Sequence, residues 1–196
     1  MLTVLISVPV ILTNNVIEAA IIGGFIPARL SGLVTAENGL PTLLTPFSAT
    51  FLHAGFFHLL MNMLILFWCG RAIEAALGAR NFLLIYGVGA FFAAMAEYWI
   101  NPQNIAPIIG ASGAISAIIG AYSLAFGRQK PIVRHPGINR AINVAWLLAA
   151  WIVIQWMIGY LGNSAGYSIA IVAHIGGFIA GLVLFPVLLR WHYREA

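Results

Sequence analysis

The sequence contains six apolar stretches, each with a length and composition suited to crossing a lipid bilayer. They are residues 2–26, 57–77, 82–100, 112–126, 142–161 and 169–189. A membrane-spanning helix needs about 20 apolar residues, and the Gly-, Pro- and Asn-rich connections between the stretches are typical of turns. Only 7% of the residues are charged and the mean hydropathy is +0.98, which excludes an ordinary soluble domain. We expect an all-α, polytopic membrane protein, a six-helix bundle forming a single domain over residues 1–196.

The basic residues predict how this bundle is oriented. Eight of the nine fall at alternate connections or in the C-terminal tail, and Arg29 falls on the other side. Because cytoplasmic loops carry the excess of Lys and Arg, both termini are expected in the cytoplasm. The first stretch is expected to be a retained span rather than a cleaved signal peptide. The cations form no long basic run, so no nucleic-acid partner is expected.

The fourth stretch is short for a span. Its 15 residues, 112–126, form about 22 Å of helix, against a hydrocarbon core of roughly 30 Å. We therefore expect Ser112, at its outer end, to lie below the membrane surface, preceded by the non-helical chain "IAPIIG". Non-helical chain is tolerated at that depth when it is covered by protein or lines a water-filled cavity. The short span thus predicts a polar cavity that opens outward.

Ser112 and His174 are the candidate nucleophile and base. Serine needs a base to take its proton, and histidine is the usual one; His174 lies at a similar depth in the sixth stretch. The chain contains no aspartate, so a Ser-His-Asp triad and an aspartyl protease are both excluded. The alternatives are that Ser112 and Gly113 only permit close helix packing, and that His174 is a structural bridge between helices.

His58 and Asn62 are candidate donors to an oxyanion. They are spaced i and i+4, which places them on one face of the second span, and preorganised donors stabilise the charge that develops during acyl transfer. Alternatively, they are polar links between helices. His53 is expected to order a loop by hydrogen bonding. No zinc-binding spacing such as HExxH is present, and no metal or cofactor is expected.

Two patterns in the last two spans predict packing. Gly177 and Gly181 form a GxxxG pattern on the same side as His174, which favours close packing of span six on span four over a homodimer interface. Trp146, Trp151 and Trp156 recur every five residues in the fifth span. Because this spacing does not follow one helical face, all three are expected to contact lipid.

Four motifs together resemble the rhomboid family of intramembrane serine proteases. They are "HAGFFHLLMN", "GRAIEAALG", "GASGA" and "AHIGGFIAG", in the family's order, and the resemblance extends from about residue 41 to residue 184. It implies that Ser112 of the GxSG motif is the nucleophile and His174 its general base. His58 and Asn62 match the oxyanion-stabilising positions, together with the Ser112 backbone amide.

The resemblance also implies supporting roles. Gly110 matches the first glycine of GxSG, and Gly177 and Gly181 match the glycines that pack span six on span four, where the small Gly113 also permits close approach. Glu74 matches a buried glutamate that stabilises the first loop and span two. Family members use no cofactor.

This chain departs from the family pattern at two places. Many bacterial members carry a Trp-Arg pair in the first loop, where this chain has Leu44 and Thr45. Some members place a tyrosine against the catalytic histidine four residues after the nucleophile, where this chain has Ser116. His174 must therefore be oriented by another group.

The expected function is that of a serine endopeptidase, a Ser-His dyad that cleaves single-pass transmembrane proteins through an acyl-enzyme. The alternative is an inactive rhomboid-like protein that binds transmembrane helices; a small transporter is disfavoured because no inverted repeat is evident. The partners expected are transmembrane substrates and membrane lipids, and the sequence does not indicate an oligomeric state. The expected location is a prokaryotic plasma membrane, with the active site open to the outer side.

Overall fold

A computed structural model describes residues 2–127, 130–164 and 170–194. Within these residues the regular structure is helical, with no strand beyond one isolated bridge that pairs Phe25 with Ile108. The described α-helices are α1 (Leu2–Leu12), α2 (Val16–Gly23), α3 (Pro27–Leu30), α4 (Thr45–Ser48), α5 (Phe56–Ile65), α6 (Arg71–Ile100), α7 (Ser112–Phe126), α8 (Pro136–Ser164) and α9 (Ile171–His192). A π-helical turn, Leu66–Gly70, joins α5 to α6.

Helix α7 lies at the centre of the bundle and packs against α6 and α9. Its sequence explains this position, because Ala114, Ala117, Gly120 and Ala121 are small and let neighbouring backbones approach. A second part of the core, farther along α7 from Ser112, adds larger apolar side chains from all three helices, which are Ile73, Leu77, Ile85, Ile118, Phe185 and Leu188. Helix α8 packs chiefly against α9. Three helices therefore form a tight centre, and α8 attaches to one side.

The predicted first span, residues 2–26, is not one helix. α1 and α2 are separate, and Asn14 between them adopts a left-handed conformation with φ 58°. The Thr13 and Asn15 amides donate to the carbonyls of Pro9 and Val10, which ends α1. The expectation of one continuous helix was wrong because asparagine is one of the few residues that tolerate this conformation and so ends a helix readily.

Three helical runs in the described part of the chain are long and apolar enough to cross a membrane, and they are Phe56–Ile100, Pro136–Met157 and Ile171–His192. The first is interrupted at Gly78, whose φ of 76° and ψ of 160° are not helical. This kink falls in the predicted turn between spans two and three, so the run covers both. Leu2–Leu12 and Ser112–Phe126 are apolar but shorter. The count of six spans remains a prediction.

The expected bounds of span four are confirmed, since α7 runs from Ser112 to Phe126. The chain before it, residues 101–111, is not helical, and it is held by Phe25, whose amide and carbonyl both bond to Ile108 at 3.0 and 2.8 Å. Non-helical chain is thus found where it was expected, half-buried from residue 107 to residue 110 but with Ile105 70% exposed. The first residue of the predicted sixth span, Ile169, and the loop cation Arg128 lie outside the described residues.

The segment before α5 is ordered without a Trp-Arg pair. At the two departing positions, Leu44 is 53% exposed and Thr45 is fully buried, with the Thr45 hydroxyl donating to the Thr42 carbonyl at 2.6 Å. Arg29 donates from Nη2 to the Leu40 carbonyl at 2.8 Å. Short local bonds to backbone carbonyls therefore hold this segment.

The expected burial of Glu74 was wrong. Glu74 is exposed in the first turn of α6, and its carboxylate makes no hydrogen bond or ion pair within the described residues. Its neighbours Ile73 and Leu77, spaced i and i+4, occupy the buried face. The side chain of Glu74 accordingly lies outside the core.

Candidate active site

Ser112 is the first residue of α7, directly after a turn that requires glycine. Gly110 has φ +121°, a conformation that side chains other than hydrogen rarely allow. A Cβ at Gly110 would lie 2.8 Å from the His58 ring and 3.6 Å from the Ser112 hydroxyl. The Gly110 amide donates to the Ala49 carbonyl at 2.9 Å, which fixes the turn to the preceding loop. Glycine at 110 thus leaves one small space between the imidazole and the serine.

Ser112 and His174 are within hydrogen-bond distance. His174 lies in the first turn of α9, and its Nε2 is 2.7 Å from Ser112 Oγ. Both side chains are half-buried. A separation of about 2.6–3.2 Å is what a base needs to take the hydroxyl proton, so the structure brings the two predicted residues together.

The close approach of α7 and α9 makes this bond possible. A Cβ at Gly177 would meet the Gly113 carbonyl oxygen, and one at Gly181 would meet the Ala117 carbonyl oxygen. Gly113 has its own tight neighbour, since a Cβ there would lie 2.6 Å from that of Ala93 on α6. Gly177 and Gly181 therefore face α7 within one chain, which is the packing that their spacing favoured.

The other ring nitrogen of His174 contacts a residue that the sequence reasoning missed. Nδ1 of His174 lies 2.7 Å from Oε1 of Gln155 on α8, and Gln155 is only 2% exposed. The available signal was its polarity, since Gln155 is the one amide between Asn143 and Asn163 in an apolar stretch. Its partner, 19 residues away on another helix, was not evident from the sequence.

Ser116 does not take the place of the family's tyrosine. Its hydroxyl donates to the Ser112 carbonyl within α7 at 2.8 Å, the i to i−4 bond that serine commonly forms in helices. The ring of His174 is bonded at its two nitrogens by Ser112 and Gln155 instead. Gln155 of α8, and not Ser116, is therefore the group that contacts His174 Nδ1.

His58 and Asn62 lie on one face of α5. Asn62 is buried and donates from Nδ2 to the His58 carbonyl at 2.9 Å, which uses one of its two N–H bonds. The His58 ring borders the space above Gly110. The first amides of α7, beginning with Ser112, have no acceptor within the helix, and a helix N-terminus favours negative charge. The His58 ring and the start of α7 thus border the space above Gly110, and the Asn62 amide is bonded within α5.

The His53 ring connects α1, the chain before α5 and the turn that precedes Ser112. The Ser7 hydroxyl donates to the Phe51 carbonyl at 2.7 Å, so the 2.9 Å contact between Ser7 and His53 Nδ1 is a bond that the histidine donates. His53 Nε2 accepts from the Ala111 amide at 3.3 Å. The expected loop-ordering bond of His53 is confirmed, and it joins α1 to the turn before Ser112.

This hydrogen-bond pattern requires His53 to be neutral, because a protonated ring could not accept from Ala111. His53 precedes α5 and is fully buried, and its ring lies 4.9 Å from that of His58. Burial, and secondarily the nearby His58, lower the pKa of His53 from 6.5 to about 4. The neutral form is therefore the one present at physiological pH.

The expectation that three tryptophans face lipid holds for two of them. Trp146 and Trp156 are 68% and 72% exposed. Trp151 instead stacks on Phe178 of α9, with ring centroids 5.0 Å apart, and donates from Nε1 to the His174 carbonyl at 3.4 Å. Trp151 was wrongly assigned because α8 turns one narrow face toward α9, and that face carries Trp151 and Gln155 one turn apart.

In the described part of the chain, no three His, Cys, Asp or Glu side chains gather in a way that could hold a metal ion.

Comparison with known proteins places the chain in a family. The Rhomboid domain family model matches residues 41–191. Rhomboid protein 1, mitochondrial, of Saccharomyces cerevisiae is 30% identical over 158 residues, covering 76% of this chain and 41% of that protein. Rhomboid protease GluP of Bacillus subtilis is 34% identical over 140 residues, covering 71% and 24%.

Rhomboid protease GlpG of Pectobacterium atrosepticum is 29% identical over 140 residues, covering 70% of this chain and 46% of that protein. This chain thus spans less than half the length of these three relatives. Because the family model covers most of the chain, and the fold is a bundle of apolar helices, this integral membrane protein belongs to the rhomboid family.

Proposed function

We propose that this protein is an intramembrane serine endopeptidase that uses a Ser112–His174 dyad. The observation that carries the proposal is the 2.7 Å separation of Ser112 Oγ and His174 Nε2, between residues 62 positions apart in the chain. Relatives named rhomboid proteases support the same reaction class.

In the first half of the proposed reaction, Ser112 Oγ attacks a substrate carbonyl carbon while His174 Nε2 takes the hydroxyl proton. The tetrahedral intermediate collapses when the imidazolium donates that proton to the leaving amine, and an acyl-enzyme remains. In the second half, His174 takes a proton from water, which attacks the ester carbonyl and releases the carboxylic acid. Ser112 regains its proton from His174, so the dyad returns to its starting state.

The oxyanion would form in the space next to Gly110. The Ser112 amide at the start of α7, the His58 ring and the amide of Asn62 are the proposed donors. Each well-placed donor of this kind is worth about 10²- to 10³-fold in rate. The bond from Asn62 to the His58 carbonyl ties the two α5 residues together.

The proposed substrates are single-pass transmembrane proteins that unwind locally between α5 and α8 to reach Ser112. With both termini in the cytoplasm, the site would open to the outer side of a prokaryotic plasma membrane. The proposed neighbours are therefore transmembrane segments and lipid.

The alternative is an inactive family member that binds transmembrane helices. The dyad geometry favours the enzyme, because a helix-binding surface needs no serine hydroxyl aligned with an imidazole nitrogen.

The test is cleavage of a generic single-span substrate in liposomes by the parent, Ser112→Ala and His174→Ala proteins. We expect cleavage by the parent and a loss of at least about 10³-fold in both variants, because each removes a group that acts in the transition state. A fluorophosphonate probe should label the parent and not Ser112→Ala.

Equal cleavage by the parent and Ser112→Ala would refute the proposal. Folded parent that neither cleaves nor labels would favour the helix-binding alternative. The matched control is Ser123→Ala, which changes the same residue type at the other end of α7.

A further inference from the structure

Gln155 connects α8 to the proposed catalytic histidine. Its Oε1 lies 2.7 Å from His174 Nδ1, on the opposite side of the ring from Ser112. Among the residues of α8 whose side chains are described, 136–157, Gln155 is the only one that is fully buried. The described apolar side chains of α8 are exposed or half-buried, whereas the amide of Gln155 is buried. A buried amide needs a hydrogen-bond partner, and His174 is the partner that it contacts.

We propose that Gln155 is a positioning residue, which holds His174 in the tautomer and orientation needed for general-base catalysis. The inference rests on the proposed function of the Ser112–His174 dyad. It adds Gln155 to that dyad as a third residue. The constellation would be Ser-His-Gln, with the neutral amide in the place that an aspartate occupies in the Ser-His-Asp triad.

The positions of the protons require this arrangement. To accept the Ser112 proton, His174 must carry a lone pair on Nε2 in the resting state, so its own proton must lie on Nδ1. A proton on Nδ1 needs an acceptor, and Gln155 Oε1 is one at bonding distance. If the amide donated to Nδ1 instead, the ring proton would move to Nε2 and the base would be lost.

Trp151 makes a second contact between α8 and His174, beside the contact that Gln155 makes with the ring. Trp151 lies one helical turn before Gln155, and its Nε1 donates to the His174 carbonyl at 3.4 Å. Trp151 also stacks on Phe178, one turn after His174 on α9. Helix α8 therefore contacts His174 at both its backbone and its ring, so the orientation of the ring depends on how α8 is docked.

Among the residues whose side chains are described, Gln155 is the group bonded to His174 Nδ1. The chain has no aspartate, and Ser116, the position where some family members carry a tyrosine, bonds to the Ser112 carbonyl. A neutral amide stabilises the imidazolium less than a carboxylate would, but it orients the ring without placing a charge in the bundle.

The first test compares the kinetics of three variants with the parent. Gln155→Met keeps the length and removes the acceptor, so we expect kcat to fall about 10- to 100-fold with little change in KM. Gln155→Asn is shorter by one methylene and should show a similar loss. Gln103→Met is the matched control, since it makes the same change at an exposed residue and should leave kcat unchanged.

Gln155→Glu restores an acceptor at the same length. We expect it to recover much of the activity that Gln155→Met loses. A carboxylate beside Nδ1 stabilises the protonated ring, so the acid limb of its kcat profile should move to higher pH. A Gln155→Met protein with the parent kcat, or a Gln155→Glu protein with neither recovery nor a shifted profile, would overturn the proposal.

The second test reads the tautomer directly and does not depend on activity. In protein labelled with ¹⁵N-histidine, the ring signals absent from His174→Ala belong to His174. We expect them to show a proton on Nδ1 in the parent, and a mixture of tautomers in Gln155→Met. An unchanged tautomer in Gln155→Met would refute the role of Gln155.

The two tests separate the failure of this proposal from that of the proposed function. If the parent neither cleaves substrate nor labels at Ser112, but the tautomer changes in Gln155→Met, the protease function fails and the positioning role is retained. If the parent cleaves and labels while Gln155→Met matches it in kcat and tautomer, only the positioning role fails.

Discussion

Helix α9 is held in different ways on its two sides. Toward α7 the contact is made by backbone, since Cβ atoms at Gly177 or Gly181 would meet carbonyl oxygens. Toward α8 the described bonds to His174 are made by two long side chains, Trp151 and Gln155. The first side determines how close His174 comes to Ser112, and the second determines how its ring is turned. Distance and orientation are thus separable properties of this site.

The largest expected effect comes from adding a methyl group on the α7 side. Gly181→Ala would place a Cβ against the Ala117 carbonyl, where backbone cannot easily move, and should destabilise the protein by about 3 kcal/mol. For a chain of this size that corresponds to a fall in Tm of roughly 10 °C. Thermal unfolding in detergent would measure it.

The matched control is Gly87→Ala on α6, where a Cβ would meet nothing within 4 Å. Alanine is favoured over glycine in a helix, so this variant should be unchanged or more stable by about 0.5–1 kcal/mol. Equal behaviour of the two variants would show that α7 and α9 are not packed backbone to backbone.

A smaller effect on stability is expected from protonation of His53, whose ring is bonded to the Ala111 amide next to Ser112. The folded-state pKa of His53 is lowered to about 4 by burial and by His58, against 6.5 for an ordinary histidine. Between these values the unfolded chain binds more protons, so the stability that depends on neutral His53 is complete above pH 6.5 and falls toward pH 4. We expect a decrease in Tm of roughly 5 °C over this range.

The comparison protein for this measurement is His53→Gln, which cannot titrate. Its Tm should be lower than that of the parent at pH 7 and should change less between pH 7 and pH 4. Parallel pH profiles for the two proteins would contradict a neutral, buried His53.

The smallest effect is expected on the α8 side. Trp151→Phe keeps an aromatic ring near Phe178 but removes the bond to the His174 carbonyl, so it should destabilise the protein by about 1 kcal/mol, or roughly 3 °C in Tm. Trp156→Phe, at a 72% exposed position, should have no effect. A loss from Trp151→Phe as large as that from Gly181→Ala would mean that the two sides of α9 do not differ as described.

The sequence predicted those parts of the molecule that depend on local pattern. The bounds of α7 followed from the glycines and the short apolar run, and the pairing of Ser112 with His174 followed from residue types placed at similar depth. The turn at Gly78 followed from its glycine. For the bounds of α7 and the turn at Gly78 one short segment contained the information, while the pairing of Ser112 with His174 also needed the depths of two separate spans.

Features that depend on the packing of distant elements were not predictable in this way. The break at Asn14 was not anticipated because Thr13, Asn14 and Asn15 form a short polar interruption that a spanning helix could also carry, and the left-handed φ of Asn14 is not visible in the sequence. The polarity of Gln155 was visible, but its partner depends on how α8 is rotated against α9. For the same reason Trp151 was assigned to lipid, because the rotation of an apolar helix cannot be read from its composition. The burial of Glu74 was implied by the family resemblance alone, and this chain departs from it.

The uncharged amide of Gln155 has a consequence for how the protein is made. Helix α8 is synthesised before α9 and must enter the bilayer before His174 exists to donate a hydrogen bond to Gln155 Oε1. An aspartate at the centre of a spanning helix raises the free energy of insertion by about 2.5–3.5 kcal/mol. A glutamine carries no charge into the lipid, so α8 can be integrated on its own and gain its polar partner later, when α9 arrives.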